Sequence, residues 1–411
     1  MSIPPSSDFG YTGAMSFFPS SRIYLDYAGA TPVNRRAARA TAEAYALIGN
    51  PSAIHQEGVL ASKALGTSRD KLARELGCTG RELVFVSGGT EANNLAIIGT
   101  LKARQKSGLS IEGTHWIVSA IEHPSVLDCF GEVERLGGQV SFADPNSGGI
   151  IGPEKIQNLM RPETVFVSVG WANSEIGVIQ PLAAIARVIR EHEEKYSSRV
   201  YFHSDAVHAP VYKGTSVHSL GLDLCTFDSA KIYGPRGIGA LYVGPHVELS
   251  PLFHGGGQER GLRPGTENIA LVAGLAEAMQ VIARNRAGES RRIEALRDAF
   301  SVSLRERIPS LVFNGDTRHM LPNIVNVSVP NIQSEYLTLA LDHEGVAVST
   351  KSACREGEAK RSHVIEALGG EQWRAENMIR FSLGSGTTSK ELKKAAEIFA
   401  KLIHKMQKVG S

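Results

Sequence analysis

The segment LVFVSGGTEANNLAIIGTLKARQKSG (83–108) sets the pattern that most constrains this chain. A short apolar run rich in β-branched residues closes on two glycines, and residues at helical spacing follow. HWIVSA (115–120), VLDCFGEVERLGG (126–138) and QVSFAD (139–144) repeat the alternation, and LAAIARVIREHEEKYSS (182–198) reads as a strongly amphipathic helix. VYFHSDA (200–206), LCTFDSA (224–230) and IGALYVG (238–244) read as three further strands. Strands alternating with helices restrict the fold to the α/β class with a mainly parallel sheet. Such sheets bind ligands beyond the carboxyl ends of their strands.

From about residue 282 the texture changes. RRIEALRDAFSVSLRERI (291–308) is a long amphipathic helix, and NIVNVSV, VAVST and MIRFSLG are strand-like. KELKKAAEIFAKLIHKM (390–406) is a closing helix. The expected organisation is a loose lead-in over 1–21, a large domain over 22–281 and a smaller α+β domain over 282–411. The first residues of the large domain are free to pack with the small one. The lead-in has neither a basic start nor an apolar centre, so it does not read as a secretory signal.

The 411 residues carry a formal charge of +2, with 42% hydrophobic and 21% charged residues. That balance points to neither a nucleic-acid binder nor a membrane-surface protein, and no window is apolar for long enough to span a bilayer. The four cysteines, Cys78, Cys129, Cys225 and Cys354, form no CxxC pair and no zinc spacing. No disulfide framework or metal site is expected from them, and a reducing cytoplasm is the simplest setting.

Several residues carry possible chemistry. In DSAKIYGPRGIG (228–239), Lys231 stands between a strand and a Gly/Pro-rich turn. Desolvation there lowers a lysine's pKa and lets the amine form a Schiff base; a plain surface lysine fits the same letters. In FHSDA (202–206), Asp205 ends a strand, where a carboxylate can hold a pyridine nitrogen protonated or simply cap the next turn. In VSGGTEANN (86–94), Gly88, Gly89 and Thr90 open a helix whose free N–H groups suit a phosphate. In VSTKSACREGEAKRSHVIEALG (348–369), Cys354 lies among Lys351, Arg355, Lys360 and Arg361, cations that favour a thiolate. An idle loop cysteine is the plainer reading.

Taken together and in order, YLDYAGATPV, GNPSAIH, VSGGTEANNLAI, EHPSVLD, ANSEIGVIQP, HSDAVH, KIYGPRGIGALY, HGGGQERGLRPGTEN, SAC and IRFSLG resemble the cysteine desulfurase family. This is a family of the class V branch of pyridoxal-phosphate enzymes. The resemblance covers roughly residues 22–405 and implies the fold type I architecture of these transferases. It implies Lys231 as the Schiff-base lysine, Asp205 at the pyridine nitrogen and His123 stacked on the ring and moving protons. Gly89 and Thr90 would hold the phosphate, and Thr266 would reach the phosphate of a second subunit in a homodimer. Asn173 would lie near the phenolic oxygen and the substrate, and Arg380 would clamp the substrate carboxylate. Cys354 would take sulfur from L-cysteine, leaving alanine and a persulfide for an acceptor protein in iron–sulfur, thio-cofactor or tRNA pathways. A selenocysteine lyase, another class V enzyme and a catalytically degenerate binding subunit fit the same motifs.

Some positions depart from the family pattern. Ala230 replaces the histidine usual before the lysine, and Asp228 replaces a phosphate-contacting Ser or Thr. Ser229 or Thr226 is expected to take over that contact. His208 replaces a glutamine and can still hydrogen-bond a phenolic oxygen. A carboxylate at Asp228 repels a phosphate unless it turns away.

Overall fold

The computed structural model describes residues 22–350 and 361–409. The strands are β1 (Ile23–Tyr24), β2 (Leu83–Val86), β3 (His115–Ser119), β4 (Gln139–Ala143), β5 (Thr164–Ser168), β6 (Tyr201–Asp205), β7 (Leu224–Asp228) and β8 (Gly239–Val243), then β9 (Val312–Phe313), β10 (Ile324–Ser328), β11 (Val346–Ala347) and β12 (Met378–Ser382). The first helices are α1 (Arg35–Ala44), α2 (Gln56–Leu76), α3 (Gly89–Lys106), α4 (Pro124–Arg135), α5 (Pro153–Leu159) and α6 (Leu182–Tyr196). They are followed by α7 (Ile269–Arg307), α8 (Ser334–His343), α9 (His363–Ala367), α10 (Gln372–Glu376) and α11 (Ser389–Val409).

The central sheet runs β2-β8-β7-β6-β5-β3-β4. Its strands are parallel except β8, which lies antiparallel to both β2 and β7. Helices cover both faces, so the strands are apolar on both sides, as buried parallel sheets require. Leu83 and Phe85 of β2 join the core on one face, and Val84 and Val86 join the core on the other. Strand pleating, with its period of two, produces this split.

β2, β3, β5, β6 and β7 therefore deliver their carboxyl ends to one edge of the sheet. The elements that follow them there decide the site. α3 begins directly at Gly88–Gly89, with no side-chain cap from Gly88. α4 begins at Pro124, with His123 as its N-cap residue. β7 passes into a 3-10 turn, Ser229–Lys231.

α7 is 39 residues long, about 58 Å at the usual helical rise. It packs against α1, α2 and α11. The sequence marks its second half by amphipathic spacing but not its start at Ile269. The first turns are buried nearly all round, through Ile269, Val272, Leu275, Ala276, Met279 and Ile282, so they carry no polar stripe to read.

A second, antiparallel sheet has the order β12-β10-β9. VAVST, expected as a strand, contributes only two residues, Val346–Ala347, pairing in parallel with Ile23–Tyr24. Beyond that pair, Ser349 bridges Arg380, and Asp26 bridges Ser382.

Candidate active site

A cavity of about 260 Å³ opens at the carboxyl edge of the central sheet. Gly89, Thr90, His123, Asn173, Asp205, His208, Asp228, Lys231 and Arg380 all line it. Three expected members do not. Ser229 is fully buried, and its hydroxyl lies where a side chain on Gly234 would have to go. Thr266 is exposed, away from the cavity wall. Thr226, the other candidate for the missing hydroxyl, is also fully buried, with its Oγ1 3.2 Å from His203 Nε2. Cys354 lies outside the described residues.

Asp205 ends β6 inside the protein. Its Oδ2 accepts from Asn93 Nδ2 at 2.8 Å and its Oδ1 from the Val207 N–H at 3.1 Å. Burial pushes its carboxyl up, and Asp228 adds to the push, while Asn93, Val207 and His123 pull down. Asn93 also donates to Ser125 Oγ at 2.9 Å. Ser125 Oγ in turn lies 2.8 Å from His123 Nδ1, which accepts from the Ser125 N–H at 3.1 Å. A polar chain thus links Asp205 to His123 through Asn93 and Ser125. With Nδ1 as the acceptor, the proton of neutral His123 sits on Nε2. Burial favours that neutral form by lowering the His123 pKa, as do the charges of Lys231 and His363.

Asn93 and Ser125 escaped the sequence reading. Asn93 left one signal, as a polar residue on a helix face otherwise formed by Ala92, Leu95, Ala96 and Ile97, all buried. Ser125 left none beyond its place at a helix start.

Lys231 Nζ donates to the carbonyls of Ala28 at 3.1 Å and Gly29 at 2.5 Å. Asn173 lines the cavity, anchored by Ile121 and by its own turn, with one Nδ2 hydrogen uncommitted among the described residues. It donates to Ile121 O at 2.8 Å and accepts from the N–H groups of Glu175 and Ile176 at 2.9 and 3.0 Å. His208 is held well below its usual pKa, by burial first and then by Lys231, Arg380 and His123. It is therefore a neutral imidazole at physiological pH.

Arg380, on β12, reaches the cavity across the second sheet. Its Nη2 donates to Asp26 Oδ1 at 2.8 Å and its Nη1 to Ser174 O at 3.1 Å, while its buried Nε has no partner among the described residues. Asp228, at the end of β7, caps the turn that carries Lys231, its Oδ1 accepting from the Ala230 N–H at 2.8 Å. Its Oδ2 accepts from the Gly89 N–H at 3.1 Å. The carboxylate has not turned away from the amino end of α3, as a phosphate there requires. It occupies it.

Two further wall residues went unread. Glu122 accepts from the Gly170 N–H at 2.7 Å, and burial pushes its carboxyl up to about 8. His363 Nε2 lies 2.9 Å from the Glu122 carbonyl. Burial pushes the thiols of Cys78 and Cys129 up to about 12, and that of Cys225 well above its ordinary value. None of the three is a thiolate nucleophile near neutral pH. Among the described residues, no three His, Cys, Asp or Glu side chains gather as metal ligands, and no helix is long and apolar enough to cross a membrane.

Residues 23–394 match the family model described as Aminotransferase class-V. The chain is 35% identical over 389 residues to "Cysteine desulfurase IscS" of Dictyoglomus turgidum, covering 94% of this chain and 96% of that protein. It is 36% identical over 387 residues to "Putative cysteine desulfurase IscS 1" of Bacillus subtilis, covering 94% and 99%. Among solved structures, a NifS-like protein superposes with a TM-score of 0.85 at 29% identity, over 93% of this chain and 99% of the other. SspA in complex with cysteine superposes at 0.75 and 31% identity, over 89% and 100%.

Proposed function

This chain belongs to the class V aminotransferase family and is a pyridoxal-phosphate-dependent cysteine desulfurase of fold type I, and from that premise we propose how its side chains divide the work. The substrate is L-cysteine. Cys354 takes its sulfur, releasing alanine, and passes the resulting persulfide sulfur to an acceptor protein that serves iron–sulfur, thio-cofactor or tRNA pathways. The working unit is a cytoplasmic homodimer in which Thr266 reaches the phosphate held by the other subunit.

The observation that carries this division is the meeting of Lys231, Asp205, His123 and Arg380 around one cavity. The donor set suits the cofactor's ring. The cavity offers an amine for the aldehyde, a buried carboxylate for the ring nitrogen and an imidazole beside them. When bound, pyridoxal phosphate supplies an electron sink for the pair released at the substrate α-carbon. Asp205, fixed by two donors, holds the ring nitrogen's proton. Asn93 and Ser125 hold His123 in the tautomer that presents a proton at Nε2. Neutral His208 is available to the phenolic oxygen and Thr90 to the phosphate, which reaches the Gly89 N–H only by displacing Asp228 Oδ2.

Arg380 and Asn173 bind the substrate. The unpartnered Arg380 Nε is a donor still available to a carboxylate. Charge-assisted bonds of this kind contribute about 1.5–3 kcal/mol. The Cys354 thiolate attacks the substrate sulfur. The new S–S bond forms as the C–S bond breaks, the C–S electron pair stays with the substrate and its β-carbon takes up a proton, so the chain gains one sulfur and the substrate becomes alanine. The basic neighbours in sequence favour the thiolate.

The test is an absorbance spectrum of the purified protein with and without L-cysteine, with alanine and protein persulfide quantified. A cofactor band that responds to cysteine, with alanine and persulfide in equal first-turnover amounts, is expected. Cys354→Ala should keep the band and lose the persulfide. Persulfide formation that survives in this variant would sink the assignment of Cys354.

A further inference from the structure

The amino end of α3 already holds an anion that belongs to the chain. The first N–H groups of a helix have no partner within it and attract negative charge. Here the Gly89 N–H donates to Asp228 Oδ2 at 3.1 Å. The fit is close. A Cβ added at Gly89 would lie 3.3 Å from the same oxygen, and one added at Gly88 would lie 3.5 Å from it. The other oxygen is committed to the Ala230 N–H, one residue before Lys231. No described lysine, arginine or histidine forms an ion pair with Asp228. Of the fixed cations on the cavity wall, Arg380 is paired with Asp26 and Lys231 donates to two carbonyls.

Resting on the reading that this site takes pyridoxal phosphate, we propose that Asp228 is a built-in competitor for the phosphate cup and the residue that sets this chain's cofactor affinity. The carboxylate stands in for the phosphate at the Gly89 N–H while the cofactor is absent. A phosphate that docks there must displace Oδ2 and then tolerate a like charge nearby. Like charges a few ångströms apart disfavour each other strongly when partly desolvated. The penalty falls chiefly on the phosphate end, although the Asp228 charge also reaches Asp205. The ring end, served by Asp205, His123 and Lys231, does not feel it to the same degree. The chain consequently binds the phosphorylated cofactor reversibly and gains less from the phosphate than a hydroxyl at this position would allow.

Two variants separate charge from cap. Asp228→Asn removes the charge and keeps an oxygen for the Ala230 N–H. Asp228→Ser removes the charge and leaves a hydroxyl. The cofactor-free forms of wild type and both variants are dialysed to equilibrium against pyridoxal phosphate, pyridoxal and inorganic phosphate in turn. Both variants are expected to bind pyridoxal phosphate and inorganic phosphate about tenfold or more tightly than wild type, with pyridoxal within about twofold. Unchanged or weaker pyridoxal phosphate binding in both variants overturns the proposal. So does an equal gain for pyridoxal, because the effect is then not on the phosphate. If no form binds pyridoxal phosphate, the cofactor reading itself falls. Inorganic phosphate then decides alone: tighter binding in the variants keeps Asp228 as the competitor, and equal binding overturns it.

Discussion

Asp26 and Arg380 are separated by 354 residues of chain, yet Asp26 Oδ1 accepts from Arg380 Nη2 at 2.8 Å on the wall of one cavity. Arg380 is almost fully buried, and Asp26 keeps about a quarter of its side chain exposed, at 5% and 27%. The pair aims the guanidinium and leaves Nε for a ligand. Arg380→Ala is expected to raise the KM for L-cysteine by about 10- to 100-fold, the loss of one or two charge-assisted bonds. Arg380→Lys should not restore it, because an ammonium cannot reproduce the planar fork. Asp26→Ala strands a buried cation and should cost about 3 kcal/mol of stability, the low end for a pair whose carboxylate is partly exposed. Steady-state kinetics and urea melts read these effects, and an unchanged KM in Arg380→Ala would remove it from the substrate site.

Glu122 makes stability fall as pH rises. Burial pushes its carboxyl up to about 8, from an ordinary 4.5. Between those values the native state keeps a proton that the unfolded chain gives up. The contribution is therefore whole below about 4.5 and is lost as pH climbs through about 8. Glu122→Gln stays neutral and keeps an oxygen for the Gly170 N–H. Between pH 5 and 8.5 its melting temperature should fall less than that of wild type, by on the order of 5 °C. Parallel falls in the two proteins would show that Glu122 does not hold the proton.

His203 acts in the opposite direction. It is fully buried between Ser168 Oγ at 2.9 Å and Thr226 Oγ1 at 3.2 Å, and burial lowers its pKa to about 3. Its stabilisation is whole above the ordinary value of 6.5 and is lost as pH falls toward 3. At pH 5 the wild type should already have lost about 2 kcal/mol relative to pH 7 through this one group. In His203→Asn that increment should vanish from denaturant melts, on top of a pH-independent cost of about 1–3 kcal/mol. An equal pH dependence in the variant would refute the assignment.

Gly384 joins the second sheet to the first described residues. A Cβ there would stand 2.0 Å from Tyr27 Cδ1, inside the ring of a residue that is itself buried. Gly384→Ala is expected to destabilise the protein by about 3 kcal/mol, the upper part of the usual range for overpacking. Tyr27→Leu in the same chain should recover part of the loss. Thermal melts of the single and double variants measure the coupling.

Much of this was readable in the letters because it depends on local spacing. The period of two in Leu83–Val86 divides its side chains between two cores. Glycines mark where β2 gives way to α3. What stayed hidden depends on partners brought together by folding. Asn93 and Ser125 sit on different helices, and neither sequence context names the other. Asp228 was legible as an unusual residue but not as the acceptor for the Gly89 N–H, since 139 residues separate them. The opening turns of α7 were missed for a different reason. A helix buried on every side shows no periodic contrast.

The sheet order also has a consequence in time. Among the described residues β2 is an edge strand that pairs only with β8, and β8 inserts between β2 and β7. A growing chain therefore leaves β2 without its partner until about 150 further residues have been made, and such late, long-range pairings are the slow steps of folding. β8 ties β2, and with it the start of α3, to β7 and the turn bearing Lys231. A ribosome-bound chain stopped before residue 239 would hold most of the sheet and still lack the pocket.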